Sequence, residues 1–360
     1  MTFSRRRLVR GTLVAILVLV TLPAIWLGIK WNRALTNVDK MIVTPAALPQ
    51  ATSEAQPALG DTSSSDAASA PEPTAMPIPA PDGAMNILLL GSDGRIGEDI
   101  SRTDTIVWVH LDGRTNHVSM LSLPRDLWVN IPGYGKNKIN AAYGIGERKI
   151  GLGYGPALLK KTVSQLVGLP IDHFVMINFQ GFKTLIDKIG GIYVDVPKAI
   201  DDDKYPMDAY EGDVRTMKIH FDAGEQLLDG DQALIYSRTR HADSDFGRNQ
   251  RQQQVLMAIF DRVRQQGLFG QLTNLDEYTD ALSDYVRTDL SRGQMLRLAS
   301  MGSKLNAEGI QRYAIDPSMV VEQRQPAYVL VLNDKKSLKR LVNQMIDPTV
   351  ATAGGEDPMR

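Results

Sequence analysis

Apolar residues first gather into strand-length runs in the early part of this chain. NILLLG just after Met85, TIVWVHL from Thr105 and HVSMLSL from His117 each read as a short β-strand buried on both sides. From Pro156 to Val167 the spacing turns helical, HFVMINF follows as a strand from His173, and GFKTLIDKIG with IYVDV repeats helix then strand. Further on, Val255, Leu256, Ile259, Phe260 and Val263 fall on one helix face, and the end of the chain through Leu282, Leu296 and Leu298 to Met345 reads as mostly helical. This alternation predicts an α/β fold, a three-layer α/β/α sandwich with a central mixed sheet, over residues 85–348. Residues 349–360 read as a disordered tail.

Ahead of that domain the pattern is different. Gly11 to Ile29 carries no charge, and at about 1.5 Å per residue this length crosses a hydrocarbon core of roughly 30 Å. The segment reads as a single transmembrane helix on which the domain stands. Arg5, Arg6, Arg7 and Arg10 precede it against Lys30, Arg33 and Lys40 behind it, which places residues 1–10 in the cytoplasm and the domain outside the cell membrane. A cleaved signal peptide fits less well, because the apolar run is longer than such segments need and no small-residue cleavage site closes it. Residues 30–84 turn to Ala, Pro, Ser and Thr from about Ala46 and read as a flexible stalk.

Composition narrows the chemistry. Lys+Arg 40 against Asp+Glu 41 gives no basic excess, so nucleic acid is not an expected partner. The absence of cysteine excludes a disulfide framework and thiol catalysis.

Three stretches carry candidate chemistry. In GSD followed by RTDT, Asp93 comes just after one strand and Asp104 just before the next. Their hard carboxylate oxygens suit magnesium, which commonly takes one or two carboxylates and completes its shell with water and phosphate oxygens; the same residues would also serve as a turn former and a backbone cap. In PRDLWVNIPGYGKNKINAAYG, Arg125 ends a strand beside a loop rich in Gly, Lys and Asn, and its planar fork of donors matches two phosphate oxygens, or simply neighbouring Asp126. YSRTRHADSDFGRNQRQQQ interleaves Arg238, Arg240, Arg248 and Arg251 with Asp243 and Asp245. On a helix opening near Phe246 or Gly247, Arg248 shares a face with Arg251 and Gln252, close to amides that attract anions. A solvated charged face would look similar.

Taken in order, GSD, RTDTI, LSLPRD, IPGYGKNKINAAYG, INFQGF, IGGIYVDVP, LDGDQALIYSRTRH and DFGRNQRQQQ resemble the LytR-CpsA-Psr family over roughly Met85 to Gly267. Thr103 stands where that family often has serine. The resemblance implies an α/β/α domain that takes a polyprenyl (undecaprenyl) pyrophosphate-linked glycan and attaches a cell-wall glycopolymer, such as wall teichoic acid or capsule, to peptidoglycan. It implies that Asp93 and Asp104 hold magnesium, with manganese as the alternative ion. Arg125, Arg240 and Arg248 would grip the pyrophosphate, with Arg238, Arg251 and Gln252 as further substrate contacts and Asp245 as a candidate base. The rival functions are a polyprenyl-pyrophosphate pyrophosphatase using the same residues with water, a non-catalytic envelope regulator, and a glycosidase built on the two aspartates. The Val, Ile and Leu of the strands are candidates for an apolar path for the prenyl chain, and ordinary core packing accounts for the same residues equally well.

Overall fold

A computed structural model describes residues 30–44, 47–48, 83–94, 103–207, 215–240, 244–267, 275–305, 309–324 and 327–347. The apolar run at 11–29, most of the Ala/Pro/Ser-rich stretch and the tail from 348 lie outside them. Among the described residues no helix is long and apolar enough to cross a membrane.

The chain opens with helix α1 (30–41). Strands β1 (Ala84–Ser92), β2 (Thr103–Asp112) and β3 (His117–Ser122) follow, then the small hairpin β4 (Trp128–Ile131) and β5 (Gly135–Lys138). Helix α2 (Ala141–Ile145) runs through a π turn into α3 (Gly155–Val167), and β6 (His173–Asn178) leads to α4 (Phe179–Lys188). Next come β7 (Ile192–Val196), β8 (Ile200–Pro206), β9 (Thr216–Phe221) and β10 (Gly224–Leu228), then α5 (Gly230–Arg238) and the long α6 (Asp245–Gln265). The end of the described chain comprises α7 (Leu275–Leu282), β11 (Val286–Thr288), α8 (Arg292–Gly302), β12 (Ile310–Ala314), β13 (Val320–Gln323), β14 (Val329–Leu332) and α9 (Lys335–Ile346).

The central sheet is 6-stranded and mixed, in the order β11-β6-β1-β2-β3-β12. Side-chain alternation sorts its two faces. Leu88, Leu90, Ile106, Trp108, Leu121 and Phe174 point to one side and pack with Leu158, Leu159 and Val163 of α3 and with Leu338 and Val342 of α9. Val107, Val109 and Met120 point to the other, toward Met257, Leu256 and Phe260 of α6. Helices thus cover both faces, as the alternating pattern predicts. Trp108 is buried completely, its indole N–H donating to Asn86 Oδ1 at 3.1 Å.

Two expectations need correction. IYVDV does not continue the sheet: β7 pairs with β10 in a separate ribbon, and a third core forms beneath it from Ile186, Ile192, Val194, Phe221 and Tyr236. The end of the chain is not mostly helical, since β11 and β12 cap the two edges of the sheet and β13 and β14 form a hairpin. These strands are only 3 to 5 residues long, too short for an alternating pattern to stand out.

The stalk expected over 30–84 is also structured at its start. α1 buries Ala34, Asn37 and Met41 on one face. Lys30 pairs with Asp276 at 3.4 Å, Asn37 Nδ2 donates to Asp280 Oδ1 at 3.3 Å, and Val43 N–H donates to the Thr288 carbonyl at 2.8 Å. The spacing 34, 37, 41 is a helical stripe; it is short, and the polar side chains around it disguise it.

Candidate functional site

The face of the sheet opposite α3 carries Leu89, Val175 and Ile177, and α4, α5 and α6 arch over it without filling the space. A cavity of about 500 Å³ remains, within the range of small-molecule sites. Gly230 lets α5 come close to α4, because a Cβ there would lie 2.4 Å from the Lys183 carbonyl. The apolar wall comes from Leu89, Val175, Ile177, Phe182, Leu185, Leu234, Val255, Leu256, Leu282 and Val286.

Polar residues gather at one end, which the register locates. β6 runs parallel to β1 with Leu89 beside Val175 and Ser92 beside Asn178, so the apolar residues precede the polar ones along both strands. At the carboxyl end of β1 the register with β2 slips, Gly91 pairing with Thr105 and Ser92 with Thr103. Asp104 is the extra residue of this bulge, which turns its carboxylate out of the strand alternation and into the cavity rim. Its Oδ1 accepts from Arg125 Nη1 at 2.7 Å. Arg125 also approaches Asp126, Nε to Oδ2 3.4 Å, and Asp126 is paired to Lys138 at 2.5 Å.

Helix α6 brings the second arginine. Ser244 caps it by accepting from Gly247 N–H at 3.2 Å, so the helix opens with Asp245 and places Arg248 one turn in. Arg248 is 5% exposed, with Nη1 2.9 Å from Asp245 Oδ1. One turn further, Gln252 lines the same cavity. Arg240 reaches it from the loop after α5, and Arg238 from the end of α5, stacked on the Phe179 ring at 4.5 Å and donating to the Tyr205 hydroxyl at 3.1 Å.

Arg125 and Arg248 differ in how well their charge is balanced. Burial works against charge on Arg125, yet Asp104, with Asp126 and Asp245 behind it, holds that guanidinium above its ordinary range. Arg248 goes the other way: burial, then the facing charge of Arg125 and that of Arg240, lower it despite Asp245 and Asp104. An arginine does not deprotonate in response, so this end of the cavity holds positive charge that its carboxylates leave uncompensated. The Nε atoms of both Arg125 and Arg248 are buried without a hydrogen-bond partner among the described residues. Buried donors are normally paired; Arg248 Nε has no acceptor among the described residues and Arg125 Nε has only Asp126 Oδ2 at 3.4 Å, outside hydrogen-bond geometry, so this end of the cavity has donor capacity suited to an anion.

The residues singled out from the sequence divide accordingly. Asp104, Arg125, Arg238, Arg240, Arg248 and Gln252 all line the cavity. Asp245 stands behind Arg248. Arg251 turns away from the cavity: its Nε donates to the Tyr236 carbonyl at 3.0 Å and its Nη2 to the Thr239 carbonyl, so it fastens the loop that presents Arg240. Asp93 is exposed, one residue beyond the end of β1 and at the same edge as Asp104. Between these two aspartates, Ser92 Oγ and Thr103 Oγ1 belong to register partners and are buried without a hydrogen-bond partner among the described residues. Carboxylates and hydroxyls together make a hard-oxygen set that fits magnesium. No group of three or more His, Cys, Asp or Glu able to hold a metal occurs among the described residues, so any ion there depends on phosphate or water for the rest of its shell.

Sequence reasoning missed Asp202, Phe179 and Tyr205. Asp202 is 2% exposed and accepts from the Thr239 hydroxyl at 2.6 Å, locking the residue between Arg238 and Arg240. Its neighbours Asp201 and Asp203 are exposed, so within the DDD run only the strand alternation of β8 marks Asp202 as the inward one.

Comparison with known proteins follows this geometry. The LytR_cpsA_psr family matches residues 47–347. A "polyisoprenyl-teichoic acid–peptidoglycan teichoic acid transferase" of Oceanobacillus iheyensis is 39% identical over 217 residues, which is 60% of this chain and 62% of that protein, so the match leaves over a third of the relative uncovered. The crystal structure of B. subtilis TagV superposes with a TM-score of 0.57 at 29% identity, covering 78% of this chain and 100% of the other. TagT with bound octaprenyl pyrophosphate lipid superposes with a TM-score of 0.52 at 25% identity, covering 73% and 89%. With the family matched over residues 47–347, arginine cavity included, the chain belongs to the LytR_cpsA_psr family.

Proposed function

We propose that this chain transfers a phosphoryl-glycan from a polyprenyl pyrophosphate carrier to a hydroxyl of peptidoglycan, the glycan being of the teichoic acid class. The observation that carries this reading is the cavity itself, in which an apolar wall leads to Arg125, Arg240 and Arg248 at one end. A prenyl pyrophosphate has that same polarity. The relatives named for teichoic acid transfer and the similar structure holding octaprenyl pyrophosphate point the same way.

In this reading the prenyl chain lies against Leu89, Phe182, Leu185 and Val286, and the pyrophosphate takes the remaining guanidinium N–H groups of Arg125 and Arg248. The acceptor hydroxyl attacks the sugar-linked phosphorus, a new P–O bond forms, the bond to polyprenyl phosphate breaks, and the hydroxyl proton leaves to a nearby carboxylate, Asp104 at the rim or Asp245 behind Arg248. Charge builds on the bridging and equatorial oxygens, where fixed guanidinium groups stabilise it without reorganising. Asp93 and Asp104 would hold magnesium, which supplies further charge neutralisation when bound. The apolar run at 11–29 is the single membrane span, with a cytoplasmic N-terminus and the domain outside.

The test is product analysis with a short-chain polyprenyl pyrophosphate glycan. Release of polyprenyl phosphate coupled to glycan on peptidoglycan, lost in excess chelator, supports transfer. Equal release with and without peptidoglycan would identify a hydrolase, and no release in either case would overturn the reading.

A further inference from the structure

The apolar run ends at Ile29, and the next residue, Lys30, is the first described residue and already helical, in α1. α1 is held along its length. Near its start Lys30 meets Asp276, in its second half Asn37 meets Asp280, Asp39 is ion-paired with Arg292, and just past its end Val43 donates to the Thr288 carbonyl. These partners lie on α7, on β11 and at the start of α8, all at one edge of the sheet. The same α7 and β11 give Leu282 and Val286 to the apolar wall of the cavity.

We infer that α1 is a rigid strut that seats the α7–β11 edge of the domain on the bilayer surface, so that the apolar side of the cavity faces the lipid. The inference rests on the membrane span and lipid-linked substrate proposed above, and it adds the surface of the domain that meets the membrane. Six residues separate Asp276, the partner of Lys30, from Leu282 in the cavity wall, about 9 Å along a helix axis. A prenyl chain leaving the bilayer beside the span would therefore meet the wall within a few of its isoprene units. Trp26, Lys30, Trp31 and Arg33 flank the junction, the aromatic and cationic types that settle at a membrane interface. The opposite edge, β12 with α9, lies five inter-strand steps away, about 24 Å.

The chain has no cysteine, so single labels can be placed without background. Glu277→Cys on α7 and Lys339→Cys on α9 are both at exposed positions. Each full-length variant, labelled with bimane, is reconstituted in phosphatidylcholine–phosphatidylglycerol vesicles containing a lipid with a nitroxide on its headgroup. The label at 277 should be strongly quenched and that at 339 should not. A six-residue Gly–Ser insertion between Ile29 and Lys30 leaves every packed residue in place and adds up to about 13 Å of slack. It should erase the difference in quenching and lower turnover of vesicle-embedded substrate severalfold, with turnover of a water-soluble short-chain substrate unchanged. Equal quenching at the two positions, or an insertion without effect on vesicle turnover, overturns the strut. Failure of the unmodified chain to process the short-chain substrate would instead count against the transferase reading, and the quenching result would stand independently.

Discussion

Replacing Arg248 by glutamine should separate binding from stability, because the two draw on opposite features of the same side chain. Without substrate, Arg248 is buried at 5% exposure and disfavoured by Arg125 and Arg240, with Asp245 as its nearby counter-charge at 2.9 Å. Removing one of the crowded cations relieves repulsion and releases Asp245 to the amides at the start of α6, which offsets the loss of its ion pair, so unfolding stability should fall by less than it does for Arg251→Gln. With substrate, the lost guanidinium takes away at least one hydrogen bond to a charged group, worth roughly 1.5–3 kcal/mol, which is about a 10- to 150-fold weaker Kd. Arg251→Gln is the contrast. Its donors satisfy the carbonyls of Tyr236 and Thr239 in the interior, and orphaning them costs about 1–3 kcal/mol each, a drop of several degrees in Tm. Calorimetric titration with a water-soluble short-chain prenyl pyrophosphate, beside thermal unfolding of the same samples, reads both quantities. The reasoning fails if Arg248→Gln lowers Tm as far as Arg251→Gln does, or if it leaves Kd unchanged.

The apolar wall gives a second prediction: Val286→Asp should abolish binding of an octaprenyl pyrophosphate while inorganic pyrophosphate still competes at the arginines, as displacement titrations would report. Stability should fall with pH through His110, which burial, and then His117, push down to about 4 against the opposing Asp112. Its folded value lies below the unfolded 6.5, so the unfolded chain binds the extra proton, and stability is intact above about pH 6.5 and lost progressively down to about pH 4. Passing through that whole range costs about 3 kcal/mol; His110→Gln should flatten urea-unfolding stability across it. A fragment starting at Lys30 should outlast one starting at Met85 by about 2–4 kcal/mol in urea, since only the longer one buries Met41 and keeps the Lys30–Asp276 pair; equal midpoints would show that α1 adds nothing to the fold.

Much of this was readable beforehand, for identifiable reasons. β1, β2, β3 and β6 are dense in Leu, Ile and Val and lie in the middle of the sheet, where burial on both faces leaves an unbroken apolar run. α3 and α6 announce themselves by helical spacing. The edge elements escaped because each needs a partner to make sense: VRT of β11 is a strand only beside Ile177, and α1 is a packed helix only beside α7. Arg248 and Arg251 illustrate the same limit within the site. Periodicity puts them on neighbouring turns of α6 and says nothing about which flank meets α5 and which meets the cavity. The apolar wall of the cavity was hidden too, because Val175 or Leu282 in sequence is indistinguishable from a residue of the solid core.

The charge arrangement explains why the arginines are tied to carboxylates at all. A bare cluster of Arg125, Arg240 and Arg248 would repel itself and splay into solvent. Asp104 and Asp245 hold Arg125 and Arg248 at 2.7 and 2.9 Å, fixing each guanidinium plane while Arg248 Nε stays without a hydrogen-bond partner among the described residues and Arg125 Nε meets only Asp126, at 3.4 Å. Each carboxylate thus orients a donor without quenching the site, and the remaining positive charge is available to an anion such as the proposed diphosphate. The dependence runs both ways: Asp104→Asn should free Arg125 to swing toward Asp126, 3.4 Å away, and weaken short-chain pyrophosphate binding even in excess chelator. If Asp104 serves magnesium alone, the substitution would have no effect once the metal is removed. Binding measured in chelator for the parent chain and for Asp104→Asn therefore separates its role in orienting Arg125 from any role in holding a metal.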